Sequence, residues 1–145
     1  MKENPALYEI NTYGWLYELS QQSGKSINLG NVPAAEWDRL KQLGFDYVWL
    51  MGIWKRSGAG VRIFRNSEEY GPFSSYINSI FPGCKSEDLV GSPYSVAAYD
   101  PDPFIGTWED VDTAMEELHK RDIRLILDFV PNHIAPDHSW IFERP

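Results

Sequence analysis

The sequence predicts an α/β fold built on a parallel sheet, and three observations predict it. Two runs, Phe45 to Met51 (FDYVWLM) and Ile123 to Val130 (IRLILDFV), are apolar at nearly consecutive positions, as in strands covered on both faces. Each follows a segment whose apolar residues recur every three or four positions, the mark of an amphipathic helix. Polar residues gather just beyond the strands, at Asn11 and Thr12, after Met51, and from Asp128 to His133. That is where parallel α/β sheets collect their chemistry.

The elements follow in order. Leu7 to Thr12 (LYEINT) alternates enough for a first strand. Pro33 suits the first position of a helix, Trp37, Leu40 and Leu43 form its apolar stripe, and Gly44 is a natural stop. After the second strand the stretch from about 52 to 106 is too long for a simple connection and is predicted to form a loop subdomain. Within it, Ser67 to Ile80 is predicted to hold a short helix interrupted near Gly71 and Pro72, and Ser86 to cap another turn. Ser57 to Gly60 (SGAG) is predicted to be a flexible turn with no strand-to-helix context for phosphate binding. Thr107 is a credible N-cap with Asp110 three residues on. Val111, Ala114, Met115 and Leu118 then form an apolar face, and Lys120 and Arg121 suit the negative end of the helix dipole. Strand, helix, strand, long loop, helix, strand is the order of βαβ units with right-handed crossovers.

With 145 residues the chain has room for one ordinary domain, taken as 1–145. A net charge of −8 disfavours nucleic acid and anionic membranes as partners. Met1 to Asn11 lacks the basic head and apolar core of a signal peptide, and no apolar run is long enough to span a bilayer. Cys84 is the only cysteine, which excludes an intramolecular disulfide and permits a reducing compartment; a cytoplasmic location is expected. Aromatic residues make up 14% of the chain, and aromatic rings serve as platforms for sugar faces as well as core filling. Trp49, inside a strand, reads as core or supporting shell, whereas Trp54 and Tyr94 fall in loops and are better candidates for a cleft.

GSPY at Gly91 to Tyr94, the spaced set Tyr99, Asp102, Pro103, Gly106 and Thr107, and DFVPNH at Asp128 to His133 resemble the α-amylase family of glycoside hydrolases, family thirteen. The opening YEINTYGWL and the segment LGFDYVWLMGIW are similar to the first and second barrel strands of that family. The resemblance implies a partial (β/α)8 TIM barrel: its first three parallel strands, two crossover helices and the long loop subdomain after strand two. It implies that Tyr94 stacks on the sugar at the reactive centre, that His133 hydrogen-bonds that sugar, and that Asp128 helps hold the site together. Asn132 matches a position that is a calcium ligand in many members. The other ligands would come largely from a third loop, so no cofactor is expected to be required by this chain, and any calcium is expected only in the complete parent enzyme. The family's nucleophile, general acid and third aspartate follow strands four, five and seven, so no catalytic residue is assigned here. Ala98 and Pro101 depart from the family pattern.

Each assignment has a plainer alternative. Asp128 would pair with Arg124 or Arg144, and His133 would be an ordinary loop histidine. His133, Asp137 and His138 lack the HExxH spacing of a zinc site. The neighbouring acids, Asp100 with Asp102, Glu116 with Glu117 and Glu68 with Glu69, are not expected to form the opposed carboxylate pair that glycoside hydrolysis needs. The expected function is therefore a fragment of a glycoside hydrolase or transglycosylase acting on α-glucosidic carbohydrates, with an α-glucan or related oligosaccharide as partner and no activity alone. The alternatives are a stand-alone carbohydrate-binding or scaffolding module, or one half of a two-chain enzyme completed by a C-terminal barrel half. Open sheet edges lead to the further expectation of homo-oligomers.

Overall fold

The computed structural model describes residues 3–143. In chain order its elements are β1 (Leu7–Asn11), α1 (Thr12–Ser23), α2 (Ala34–Gln42), β2 (Tyr47–Met51), β3 (Trp54–Arg56), α3 (Gly58–Arg65), α4 (Tyr70–Ile80), β4 (Val96–Pro101), α5 (Trp108–His119), β5 (Arg124–Leu127) and α6 (Trp140–Glu143). The chain forms two compact units, one of residues up to 55 together with 100–129, the other of 56–99 together with the residues from 130 on. It passes from the first to the second within β3 and returns within β4.

The first unit holds a parallel sheet in the order β1, β2, β5. Leu7 pairs with Tyr47 and Asn11 with Met51 on one side of β2, and Tyr47 pairs with Arg124 and Leu50 with Leu127 on the other. Its two faces differ. Val48 and Leu50 are fully buried, as are Trp37 and Leu40 of α2 and Ala114 and Leu118 of α5. Tyr47, Trp49 and Met51, which point the other way, are only partly covered. Strand β2, apolar on both sides, is therefore fully buried on one face and half-covered on the other.

The first crossover carries one helix more than the sequence reading expected. Thr12, read as the end of a strand, opens α1, whose N-cap is Asn11 with its side chain accepting from Gly14 N, and Gly24 ends it at φ 66°. Its apolar stripe is thin, with Leu16 the one large apolar side chain fully buried, so periodicity did not reveal it. Helix α2 begins at Ala34 with Pro33 as the cap, one position later than expected. Gly44, at φ 85°, takes the left-handed conformation that ends helices.

Helix α5 forms as its sequence predicts. Thr107 accepts from Asp110 N while Asp110 Oδ2 accepts from Thr107 N at 2.7 Å, the reciprocal capping box. The same Asp110 oxygen accepts from Asn28 Nδ2 at 3.2 Å, which ties the first crossover to this helix end. At the other end Arg121 donates to Glu117 at 2.8 Å and to Asp38 of α2 at 2.6 Å.

The second unit corrects the reading of Ser57 to Gly60 as a flexible turn. Ser57 joins β3 to α3 as the N-cap of that helix, accepting from Gly60 N at 2.8 Å, and Gly58 to Gly60 form its first turn. Helix α4 starts at Tyr70, so Gly71 and Pro72 lie in its first turn and do not interrupt it, in keeping with the tolerance of early helix positions for proline. The turn Ser86–Asp88 is capped by Lys85, not by Ser86.

Candidate functional site

Asp128 stands one residue past the end of β5, and its surroundings explain why the strand stops at Leu127 and does not run on to Val130. Continuation of the ladder would place Asp128 beside the end of β2. Instead its carboxylate takes the place of a backbone acceptor: Gly52 N donates to Oδ2 at 2.5 Å and Trp49 Nε1 donates to Oδ1 at 2.9 Å. The Asp128 carbonyl accepts from Trp54 Nε1 at 2.8 Å. Asp128 is 8% exposed, so these donors supply what solvent would otherwise give a buried charge. No ion pair with Arg124 occurs among the described residues, and Arg144 lies outside them.

Trp49 therefore acts as supporting shell, as its position in a strand implies. Trp54 does not line a cleft: it is 6% exposed, packs against Trp108 with ring centroids 5.8 Å apart, and spends its N–H on the main chain at Asp128. Phe129, within the run read as a buried strand, is 77% exposed, because the chain has left the sheet by then.

Tyr94, Asn132 and His133 belong to the second unit, and there Tyr94 and His133 meet. His133 Nε2 lies 3.0 Å from the Tyr94 carbonyl oxygen. A carbonyl only accepts, so Nε2 carries the proton and Nδ1 is left as the acceptor for Asn132 Nδ2 at 3.4 Å. The imidazole thus fixes the main chain that carries the Tyr94 ring. That ring is 38% exposed, and the turn beneath it is closed by Ser95 N donating to Ser92 O and by Tyr94 N donating to Ser92 Oγ at 3.2 Å. The Tyr99 hydroxyl secures the chain a little before Asn132: it accepts from Val130 N at 2.9 Å and donates to Val130 O.

Asp137, considered only for zinc, has a different partner set. Its carboxylate sits at the start of α3, accepting from Ser57 Oγ at 2.6 Å and Ala59 N at 2.9 Å. Burial acts to raise its carboxyl, but the Ser57 hydroxyl, the Ala59 N–H, its own N–H and the nearby Arg62 outweigh that and hold it below the usual aspartate value. The start of α3, a helix end of the kind that draws anions, is thereby satisfied from within the chain. The signal legible in sequence was Ser57 followed by Gly60; nothing local pointed to Asp137. His138 is buried, with Nδ1 accepting from Trp140 N at 3.2 Å.

No group of three His, Cys, Asp or Glu comes together among the described residues. Asn132 has one side-chain oxygen to offer an ion that takes about six or more. The residues present do not fit a calcium ion by themselves.

Three adjacent parallel strands joined through helices, with Asn11 and Asp128 at the carboxyl ends of the outer two, form a segment of the (β/α)8 kind, which builds its active site on strand-end loops. The chain belongs to the alpha-amylase family: residues 34–144 match the model for the alpha amylase catalytic domain. It is 32% identical to an oligo-1,6-glucosidase of Parageobacillus thermoglucosidasius over 130 residues, 88% of this chain and 18% of that protein. A glucan 1,6-alpha-glucosidase of Streptococcus pneumoniae is 45% identical over 51 residues, 34% of this chain and 10% of that protein. Among solved structures, an alpha-amylase of Geobacillus thermoleovorans complexed with acarbose is similar with a TM-score of 0.58 and 26% identity, covering 97% of this chain and 26% of that one. An alpha-amylase of Lactobacillus plantarum shows the same fold with a TM-score of 0.63 at 22% identity, over 97% of this chain and 26% of that one. The chain thus spans about a fifth of the length of its curated relatives. Among the described residues no helix is long and apolar enough to cross a membrane.

Proposed function

We propose that this chain is the portion of an α-glucan-acting glycoside hydrolase that carries barrel strands one to three and the sugar-holding side of the site, and that the 145 residues alone do not turn substrate over. The observation that carries this reading is the family match over 34–144 together with the contact between His133 and the Tyr94 carbonyl. Tyr94 offers an aromatic face for stacking on a glucose ring, and His133 sets the position of that face while Asn132 steadies its other nitrogen. Asp128, with its charge held by Trp49 and Gly52, is a fixed carboxylate at the end of the third barrel strand. Cleavage would further require an opposed nucleophile and proton donor, two carboxyl groups about 5 Å apart in the retaining mechanism. The family places these after later strands. In the complete protein a calcium ion would have to draw most of its ligands from elsewhere.

Titration calorimetry with maltooligosaccharides and activity assays on starch and on α-1,6-linked glucosides test the reading. One stacking face and a few hydrogen bonds correspond to an affinity of about millimolar, roughly 4 kcal/mol, which Tyr94→Ala abolishes. Turnover that survives purification and disappears on replacing one acidic residue of this chain would overturn it.

A second reading is a stand-alone binding or scaffolding module. It is favoured by one relative whose name describes no enzyme, a human amino acid transporter heavy chain 41% identical over 39 residues, 27% of this chain and 6% of that protein. Micromolar glucan binding lost in Tyr94→Ala would favour this reading over the first. Recovery of activity on mixing with a separate chain that supplies the remaining strands would instead identify half of a two-chain enzyme.

A further inference from the structure

Within the second unit, residues 130–135 are fastened to the stretch 94–99 at three points. Ala135 N donates to Val96 O at 3.1 Å, and His133 Nε2 donates to Tyr94 O at 3.0 Å. The Tyr99 hydroxyl both accepts from Val130 N at 2.9 Å and donates to Val130 O at 3.1 Å. On the 94–99 side the first two ties use main-chain carbonyls, which any residue supplies. Only the third depends on a particular side chain. Pro131, Asn132 and His133 are exposed, so hydrogen bonds rather than packing hold them in place.

We propose that Tyr99 is a positioning residue for the sugar platform, its hydroxyl fixing the main chain at Val130 and through it the imidazole that holds Tyr94. This role rests on the reading of Tyr94 and His133 as sugar-holding groups. A phenol hydroxyl can donate and accept at once, and here it meets both main-chain groups of one residue, so that the N–H and the carbonyl of Val130 are tied to a single atom. The next residue carries the constraint onward. Pro131 has its φ locked near about −65° and restricts Val130 before it to extended conformations, which leaves little rotation between the tied Val130 and Asn132. His133 stands three residues beyond Val130, at most about 11 Å along the chain, and so reaches the Tyr94 carbonyl already aimed. Phenylalanine at position 99 would keep the ring and lose both bonds, freeing the segment to sample other positions.

Nuclear magnetic resonance on the 145-residue chain reads the ring position directly, through Overhauser contacts between the His133 imidazole and the main-chain protons of Tyr94 and Ser95. In Tyr99→Phe these contacts are expected to lose at least about half their intensity, and maltooligosaccharide affinity in calorimetry to weaken about threefold, because apparent affinity falls with the populated fraction of the competent conformation. The circular dichroism spectrum is expected to stay unchanged. Pro131→Gly leaves the Tyr99 hydroxyl in place but loosens the link to His133, and is expected to act in the same direction. Thr107→Ala lowers stability at the start of α5, in the first unit, and is expected to move neither readout, which separates lost position from lost stability. Full Overhauser intensity in Tyr99→Phe or in Pro131→Gly overturns the proposal, as does an equal loss in Thr107→Ala. A parent chain that binds no glucan overturns the sugar-holding reading instead, and the Overhauser contacts then still decide whether Tyr99 positions His133.

Discussion

The indole N–H of Trp49 donates to the carboxylate of Asp128 across 2.9 Å, a contact between the middle of β2 and the residue just past the end of β5. Trp49 lies opposite Ile126. Asp128 follows two residues after Ile126, just beyond β5, and its carboxylate is turned to that indole. A buried carboxylate at the end of the third barrel strand is thus held by a side chain from the middle of the second, and Gly52 N closes the other oxygen.

Asp128→Ala is expected to destabilise the chain by about 2–4 kcal/mol, because it leaves the buried Gly52 N–H and the Trp49 indole without their acceptor. Asp128→Asn retains one acceptor and is expected to lose roughly half as much. Urea unfolding followed by tryptophan fluorescence gives both values, and equal losses would mean that the charge and both oxygens matter alike.

Thr107→Ala removes half of the capping box at the start of α5. The expected cost is about 1 kcal/mol, read as a lowered urea midpoint. Asp110→Ala is expected to cost more, since Asp110 also accepts from Asn28.

Gly106 has φ 135°, and a Cβ there would lie 2.7 Å from Asp110 Oδ2. Gly106→Ala therefore strains the backbone and pushes on the cap at once, for an expected loss of about 1–3 kcal/mol. Gly44→Ala, where nothing lies within 4 Å but φ is 85°, is expected to lose about 1 kcal/mol from the conformation alone. Comparison of the two melting temperatures separates strain from collision.

Asp137 is held below its usual value in the folded chain, so the unfolded chain binds a proton first as pH falls. The stabilisation is complete above the ordinary aspartate range of about 4 and is lost as pH drops through the lower folded value. Ser57→Ala removes a hydrogen bond to the charged form, and its urea midpoint is expected to depend less on pH between about 5 and about 3 than that of the parent chain. An unchanged pH dependence would show that Ser57 does not help set the Asp137 carboxyl.

The three strands of the parallel sheet, α2, α5 and the capping box were legible in sequence because they rest on local signals: runs of apolar residues, three- and four-residue spacing, and a threonine three positions before an aspartate; β3 and β4, inside the stretch read as a loop subdomain, were not. The family was legible in GSPY and DFVPNH, and with it the barrel segment. Helix α1 was not, since its apolar stripe is too thin to register, and Trp54 was misjudged because it lies in a stretch with no regular periodicity. Which groups hold Asp128, why β5 ends at Leu127, that Asp137 caps α3, and that His133 grips the main chain at Tyr94 were decided by tertiary structure alone. Those bonds join residues separated by between 39 and 80 positions in the chain. Helical periodicity and capping act over three or four residues. A hydrogen bond over dozens of residues depends on strand register and loop closure, which local sequence does not encode.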